Sequence, residues 1–332
     1  MRARCYCLIA VLVLMCVSDA SAVIKRNRSA RNAKKHTAHR IVSSSISRTP
    51  YIGAIVVDAV NGRVLFDDNA DSSGYPASVT KLMDLLIIME KVREGTLAVT
   101  DKVTITAEAV KVGGSQAYLK EHEIFSMDEL LYALMVKSAN DVAVALAVHV
   151  AGSPEAFVQL MNRKAQQLGM VSTRFHSVNG LPPGRRLPRD VSTARDLSLL
   201  AAEVLKYPEA LRYTSTKRHA FRNGTVTMRN HNRLLGVVEG CDGLKTGYFA
   251  EAGFSIAATA QRNDERIIVV VLGSRSLQMR DVKARELLAK GFWEAERQPA
   301  MISTKGMPPS PPLVSKQVIT GPLAAHRGNV NQ

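Results

Sequence analysis

An apolar helix with a serine and a lysine in its first turn places the strongest constraint on how this chain folds. After Pro76, large apolar residues recur at helical spacing, at Leu82, Leu85, Leu86, Ile88 and Met89. The pattern predicts a helix that continues to about Arg93. Ser78 and Lys81 are three residues apart at its start, so we expect both side chains on one face. A hydroxyl beside an amine allows the oxygen to attack a carbonyl while the amine takes its proton.

The same two residues also have an ordinary structural interpretation. A serine near a helix start usually caps the helix, and a lysine three residues later is usually solvated. The spacing of Ser78 and Lys81 alone therefore favours a structural role, and other segments of the chain must decide between the two interpretations.

The composition predicts a globular protein with a basic arm. The 332 residues are 46% hydrophobic, which is enough for a sizeable core. Residues 25–48 hold eight Lys and Arg and no acid, which accounts for about half of the net charge of +15. We expect residues 23–47 to form a solvated, disordered arm. Its functional alternative is weak association with anionic envelope polymers or a membrane surface.

The N-terminus has the pattern of a secretory signal peptide. Residues 1–22 contain Arg2 and Arg4, an apolar run over 8–17, and the small-residue sequence Ala20-Ser21-Ala22. We therefore expect cleavage near Ala22 and export to the periplasm or cell envelope, where nucleic acid is not an expected partner. Cleavage would leave Cys241 as the only cysteine and exclude an intramolecular disulfide.

Strand patterns lie at the two ends of the main body, residues 48–296. They cover residues 52–58, 64–66, 254–260 and 267–272. Asn61-Gly62 is a hairpin signal between the first two, and Asn263-Asp264 marks a turn between the last two. The strands predict a central antiparallel sheet, and the helical patterns between them make the fold class α+β.

Helical patterns occupy the middle of the chain and close the domain. They cover residues 127–136, 142–150, 154–168, 192–205 and 280–295. Ser126 is predicted to cap the first of these, with Glu129 as its capping-box partner. The last helix has an apolar face with Val282, Leu287, Leu288 and Phe292. Residues 297–332 are rich in proline and predict a disordered tail.

Three motifs occur in an order that points to one site. They are Ser78-Val79-Thr80-Lys81, Ser138-Ala139-Asn140 and Lys245-Thr246-Gly247. The trio matches S-x-x-K, S-D-N and K-T-G, except that Ala139 stands in place of the aspartate. One such match is weak, whereas three ordered matches on suitable elements favour a serine nucleophile with a lysine base.

The motifs and their flanks resemble the low-molecular-mass D-alanyl-D-alanine carboxypeptidases, a family of penicillin-binding proteins. The resemblance covers roughly residues 48–296 and includes the segments 77–83, 137–141, 179–182, 192–197 and 242–247. It implies a β-lactamase/DD-peptidase-like fold, in which an antiparallel five-stranded sheet and an all-helical region enclose the cleft. It also implies removal of the terminal D-Ala from peptidoglycan stem pentapeptides, with β-lactam antibiotics as acylating inhibitors.

The chemistry requires particular properties of these residues. Lys81 can act as a base near neutral pH only if its pKa is lowered, and burial beside Lys245 is expected to lower it. The resemblance implies that Ser138 relays a proton to the leaving amine and that Asn140 binds the substrate amide. Lys245 and Thr246 would bind a carboxylate.

The resemblance also implies an oxyanion hole and a carboxylate clamp. The backbone N–H groups of Ser78 and Tyr248 would form the oxyanion hole. Gly247 would let the strand approach a ligand closely. Arg233, just before the third motif, matches an arginine that helps to hold the substrate carboxylate in the family.

Other functions compete with this interpretation. A class A β-lactamase would need a Glu-x-x-x-Asn pattern between the second and third motifs, which the chain lacks. A DD-endopeptidase that cleaves peptidoglycan cross-links would use the same residues, so it stays open as the closer alternative. An inactive wall-binding protein would not need the intact motifs. The eight histidines have no metal-ligand spacing, and neither a metal nor a cofactor is expected.

Overall fold

A computed structural model describes residues 50–182, 184 and 187–297. The predicted signal peptide (1–22) and basic arm (23–47) lie outside the described residues. So does the predicted tail (297–332), except that the last helix includes Arg297.

The central element is a five-stranded antiparallel sheet, as the sequence predicts. Its strands are β1 (Gly53–Asp58), β2 (Val64–Asp68), β7 (Cys241–Phe249), β8 (Gly253–Arg262) and β9 (Glu265–Ser274), in the order β2-β1-β9-β8-β7. Two small hairpins lie outside it, formed by β3 (Lys102–Thr104) with β4 (Ile124–Ser126) and by β5 (Arg218–Phe221) with β6 (Val226–Arg229). The third motif lies on β7, at the edge of the sheet.

Eight α-helices accompany the sheet in the described ranges. They are α1 (Lys81–Arg93), α2 (Ala107–Val110), α3 (Met127–Tyr132), α4 (Asn140–Ala151), α5 (Pro154–Gln167), α6 (Ala194–Val204), α7 (Ala210–Thr214) and α8 (Leu277–Arg297). A 3₁₀ turn, Ala77–Thr80, leads directly into α1, and a π-helical segment, Ala133–Lys137, follows α3. The predicted helix over 127–136 is thus two different helical segments.

The sheet separates two apolar cores because successive side chains of a strand point to opposite faces. In β9, Ile268, Val270 and Leu272 pack into the core shared with the helical region. The alternate residues Ile267, Val269 and Val271 pack into a second core with α8. Both faces of the central strands are covered, which is why they are apolar at nearly every position.

Two local predictions need correction. Ser126 caps α3, since its Oγ accepts from the backbone N–H of Glu129 at 3.3 Å. The Glu129 carboxylate, however, accepts from the backbone N–H of Arg222 at 3.1 Å and pairs with His219 at 3.2 Å, so it links the helix to the β5–β6 hairpin. Val282 is exposed on α8, whereas Leu287, Leu288 and Phe292 are buried.

Within the described ranges, no single helix has both the length and the hydropathy needed to cross a membrane. The pair Asn140–Ala151 and Pro154–Gln167 meets the criteria only when combined, and it is bent by 83°.

Candidate active site

The predicted nucleophile lies in the 3₁₀ turn at the start of α1. Ser78 is half-buried and opens onto a cleft of about 590 Å³. The cleft is lined by five residues of the three motifs, Ser78, Ser138, Asn140, Thr246 and Gly247, and by Tyr248, which follows the third motif. The preceding residue, Ala77, has a left-handed backbone with φ of 49°. This conformation is costly for a residue with a Cβ, and such strain is typical of functional turns.

Lys81 is buried directly behind Ser78. Its side chain is 0% exposed, and its Nζ donates to Ser78 Oγ at 3.1 Å. The same Nζ donates to Asn140 Oδ1 at 2.8 Å and to the carbonyl oxygen of Asn179 at 2.6 Å. The contact between hydroxyl and amine that the Ser-x-x-Lys spacing predicts is therefore present. Its geometry is fixed by two further acceptors from distant parts of the chain.

Burial gives Lys81 the pKa of a base that works near neutral pH. Desolvation lowers its pKa to about 7, while the charges of Asp84, Asp190 and Asp141 oppose that shift. The predicted role of burial is confirmed. Burial, with repulsion from Lys81 and Arg280, holds the pKa of Lys245 well below its usual value.

Asp84 of α1 is a buried acidic residue close to Lys81. It is buried one helical turn after Lys81, and neither carboxylate oxygen has a hydrogen-bond partner. Burial raises the pKa of this carboxyl well above its ordinary value. An unpaired buried carboxylate is costly, and the electrostatic interaction with Lys81 offsets part of that cost.

We expect Asp84→Asn to shift the pH dependence of Ser78 acylation toward lower pH. Lys81 must be neutral to act as a base. Protonated Lys81 and ionised Asp84 stabilise each other, so Asp84→Asn disfavours the protonated amine and lowers the pKa of Lys81. The acylation rate at pH 6 should therefore rise roughly two- to fivefold relative to that at pH 8. Stopped-flow acylation by a chromogenic β-lactam measures this ratio. Glu90→Gln, on the same helix, is the control, and an unchanged or upward-shifted profile for Asp84→Asn contradicts the prediction.

The second motif is presented by an irregular connection between two buried helices. Ser138 directly follows the π-helical segment, and its backbone is left-handed with φ of 59°. Asn140 begins α4, and its Nδ2 donates to the carbonyl oxygen of Gly113 at 2.8 Å. Both polar atoms of the Asn140 amide thus form hydrogen bonds within the protein. Nδ2 holds the amide in place, and Oδ1 orients Lys81. The contact of Asn140 with a substrate amide stays a prediction.

The third motif completes the cleft from the sheet edge. Lys245 Nζ donates to Ser138 Oγ at 2.9 Å and to the carbonyl oxygen of Thr246 at 3.0 Å. A Cβ added to Gly247 would lie 2.4 Å from the carbonyl oxygen of Pro76 and 3.1 Å from the backbone nitrogen of Ser78. Only glycine therefore lets β7 approach the nucleophile this closely. The side chain of Tyr248 is 54% exposed at the cleft and stacks on Phe254.

Two buried aspartates hold the loops around the cleft. Asp190 accepts from Thr80 at 3.1 Å and from the backbone N–H groups of His176 and Ser177 at 2.7 and 2.9 Å. It thereby fixes the loop that carries Asn179. The following Gly180 contacts the nucleophile turn so closely that a Cβ would lie 2.1 Å from the carbonyl oxygen of Ala77.

Asp141 fixes a second loop beside the cleft. Its carboxylate accepts from the backbone N–H groups of Ala117 and Leu119 at 3.0 and 3.1 Å. This loop also carries Gly114 and Ser115, which line the cleft.

Arg233 does not line the cleft that contains Ser78. It lies in an adjoining groove, whereas Arg280 of α8 lines the cleft itself. Arg280 is only 2% exposed, and its guanidinium pairs with Asp281 at 2.6 Å. The predicted clamp role of Arg233 stays a prediction, and Arg280 is the arginine that lines the cleft itself.

Sequence patterns alone do not single out Arg280 or His231, although both line the cleft. Arg280 begins the predicted closing helix, and His231 has no motif spacing. Their positions depend on how α8 and the segment before β7 pack beside the third motif. Desolvation is the largest cause that lowers the pKa of His231 to about 4, and the charges of Lys245, Lys137, Arg280 and Lys81 add to it.

Comparison with known proteins agrees with this geometry. A family model described as D-alanyl-D-alanine carboxypeptidase matches residues 46–276. D-alanyl-D-alanine carboxypeptidase DacF of Bacillus subtilis is 34% identical over 249 residues, which are 74% of this chain and 63% of the relative. DacC of Escherichia coli is 36% identical over 246 residues, 72% of this chain and 60% of the relative. The chain thus spans less than two thirds of the length of these relatives.

Solved structures show the same fold. Penicillin-binding protein D2 of Listeria monocytogenes, solved in an ampicillin-bound form, is 32% identical with a TM-score of 0.67, covering 73% of this chain and 97% of that one. Penicillin-binding protein 6B of Escherichia coli is 34% identical with a TM-score of 0.68, covering 73% of this chain and 77% of that one. With the three motifs assembled on this fold, the chain belongs to the D-alanyl-D-alanine carboxypeptidase family.

Proposed function

We propose that this protein is a serine-type D-Ala-D-Ala carboxypeptidase that removes the terminal D-Ala from peptidoglycan pentapeptide stems. The observation that carries the proposal is the contact between Lys81 Nζ and Ser78 Oγ at 3.1 Å, with Lys81 fully buried. A neutral amine in this position is a suitable base for the serine hydroxyl. Relatives over most of the described chain are named for the same activity.

Acylation begins when Ser78 Oγ attacks the carbonyl carbon of the scissile bond and its proton passes to Lys81 Nζ. The backbone N–H groups of Ser78 and Tyr248 stabilise the resulting oxyanion. The carbon–nitrogen bond then breaks, and a proton reaches the leaving amine through Ser138, which is hydrogen-bonded to Lys245. D-alanine departs, and water hydrolyses the ester on Ser78.

The terminal carboxylate of the substrate binds at the cationic end of the cleft. Thr246 and the buried Arg280 line this end, and Lys245 lies directly behind it. Burial lowers the pKa of Lys245, and repulsion from Lys81 and Arg280 lowers it further. An arriving carboxylate relieves that repulsion and favours the protonated lysine. β-Lactam antibiotics, which carry a carboxylate beside a reactive amide, occupy the same site and acylate Ser78.

The substrate is extracellular, so the protein acts after export to the periplasm or cell envelope. The charged, apolar and small-residue regions of residues 1–22 support removal of a signal peptide near Ala22. The basic arm, residues 23–47, then remains on the mature chain. It provides weak attraction to anionic envelope polymers or to a membrane surface.

Release of D-alanine from a synthetic pentapeptide stem, with labelling by a fluorescent penicillin, tests the proposed activity. D-alanine release together with a single adduct at Ser78 supports it. A protein that forms the adduct but releases no D-alanine from the pentapeptide is not a carboxypeptidase.

We expect the Arg280→Gln variant to separate the two candidate carboxylate clamps. A charge-assisted hydrogen bond is worth about 1.5–3 kcal/mol, so kcat/KM on the pentapeptide should fall by roughly one to two orders of magnitude. Arg280→Lys should recover part of the loss because it keeps the charge. Arg233→Gln should have the smaller effect, since Arg233 lies in the adjoining groove.

Thermal unfolding of each variant checks that the buried pair with Asp281 is not simply required for folding. A loss for Arg233→Gln as large as that for Arg280→Gln would restore Arg233 as the clamp.

A further inference from the structure

A large basic groove adjoins the catalytic cleft. Its volume is about 910 Å³, and it is lined by six basic residues: Lys137, Lys217, Arg218, Arg222, Arg229 and Arg233. Within the described residues, no acidic side chain lines it. The proposed chemistry at Ser78 uses none of these six side chains, so their concentration has no explanation in the catalytic cleft.

Most of these cations are available to a ligand. Arg222 is the exception, because it pairs with Glu123 at 2.8 Å. Lys217, Arg218 and Arg229 are exposed, and none of them has an ion-pair partner in the described ranges. Arg218 and Arg229 lie directly opposite each other on β5 and β6, so two like charges share one face of the hairpin. Such a pair destabilises a hairpin, and an anion bound between the strands would reverse that effect.

The groove is continuous with one particular end of the cleft. His231 and Leu277 line both spaces, and Leu277 is one helical turn before Arg280 on α8. Lys137 precedes Ser138, the residue proposed to pass a proton to the leaving amine. The groove therefore opens from the end of the cleft at which the leaving group binds.

We infer that the groove binds the anionic second stem of a cross-linked peptidoglycan peptide, on the leaving-group side of the scissile bond. This inference rests on the proposed function. A free pentapeptide has only a single D-alanine on that side and cannot fill the groove. In a cross-linked peptide, the leaving amine belongs to a second stem that carries several carboxylates. The exposed cations match this charge and lie along the path that the second stem must follow.

Equilibrium binding of two labelled peptides to the full chain with Ser78→Ala tests the inference without turnover. One peptide is a cross-linked dimer of tetrapeptide stems, and the other is the single tetrapeptide stem. In about 50 mM salt the dimer should bind about tenfold more tightly than the monomer, and about 300 mM salt should remove most of this preference. Equal affinities for the two peptides would overturn the inference.

Matched variants identify which residues cause the preference for the dimer. Combining Lys217→Gln, Arg218→Gln and Arg229→Gln should reduce the dimer preference to about twofold or less. The control combines Lys102→Gln, Arg163→Gln and Arg285→Gln, which removes three exposed charges that line neither space, and it should keep the preference. The basic arm is present in every variant, so its contribution cancels. A preference that survives in the groove variant, or disappears equally in the control, would overturn the inference.

Two further measurements separate the remaining explanations. A charge-conserving variant, Lys217→Arg with Arg218→Lys and Arg229→Lys, should keep the preference for the dimer. A loss of preference caused by misfolding of the hairpin would not depend on whether the charges are conserved. Inorganic polyphosphate that competes with the dimer as well as unlabelled dimer does would overturn the peptide assignment. Failure of the proposed carboxypeptidase would be visible independently, as absence of D-alanine release and of a penicillin adduct in the chain with Ser78 intact.

Discussion

Replacing Ser78 with alanine abolishes the covalent penicillin adduct and lowers D-alanine release by at least about 1,000-fold. The hydroxyl is the atom that forms the acyl bond, and Lys81 has no other hydroxyl within hydrogen-bonding distance among the described residues. The substitution removes one oxygen and leaves the half-buried turn intact, so the fold should be retained. Labelling with a fluorescent penicillin, followed by mass spectrometry of the peptides, measures the adduct and its position.

Ser198→Ala is the matched control for this result. Ser198 is also poorly exposed, but it lies on α6 and donates to the carbonyl oxygen of Arg195 at 2.7 Å. This variant should keep both the adduct and D-alanine release. An adduct that persists after Ser78→Ala would assign the nucleophile to another residue.

Replacing Lys81 with methionine lowers the acylation rate by about two to four orders of magnitude, the usual contribution of a general base. Methionine keeps most of the bulk and removes the amine that contacts Ser78. The loss of hydrogen bonds to Asn140 and Asn179 destabilises the fold, whereas removing a buried amine stabilises it. We therefore expect a folded variant. The second-order rate of penicillin acylation and the thermal unfolding midpoint are the measurements.

The pH dependence of stability provides a second test of Lys81. Its folded pKa is about 7, below the unfolded value of 10.5, so the unfolded state binds more protons between these values. Lys81 therefore makes the free energy of unfolding rise with pH in this window, and Lys81→Met should lack that rise. Lys91→Met, on the same helix, is the control. Acylation by Lys81→Met at the wild-type rate would assign the base elsewhere, to Ser138 with Lys245.

The local elements were predictable because they depend on neighbouring residues. The spacing of leucine, isoleucine and methionine after Pro76 predicted α1 to Arg93, and the helix ends there. The β-branched segments predicted β1, β8 and β9, which are buried on both faces. The internal break between α3 and the π-helical segment was not predicted, because its continuous apolar pattern is compatible with one regular helix.

Three ordered motifs and one serine–lysine spacing are enough to identify the candidate reactive residues. The surroundings of these residues depend on how the chain folds. The tertiary structure brought Asn140 and Asn179 to Lys81 across separations of 59 and 98 residues, and it buried that lysine completely. It also brought Arg280, and not Arg233, to the cleft. The physical reason is that hydrophobic periodicity is a property of adjacent residues, whereas burial, pKa and charge pairing depend on contacts between segments that are distant in the chain.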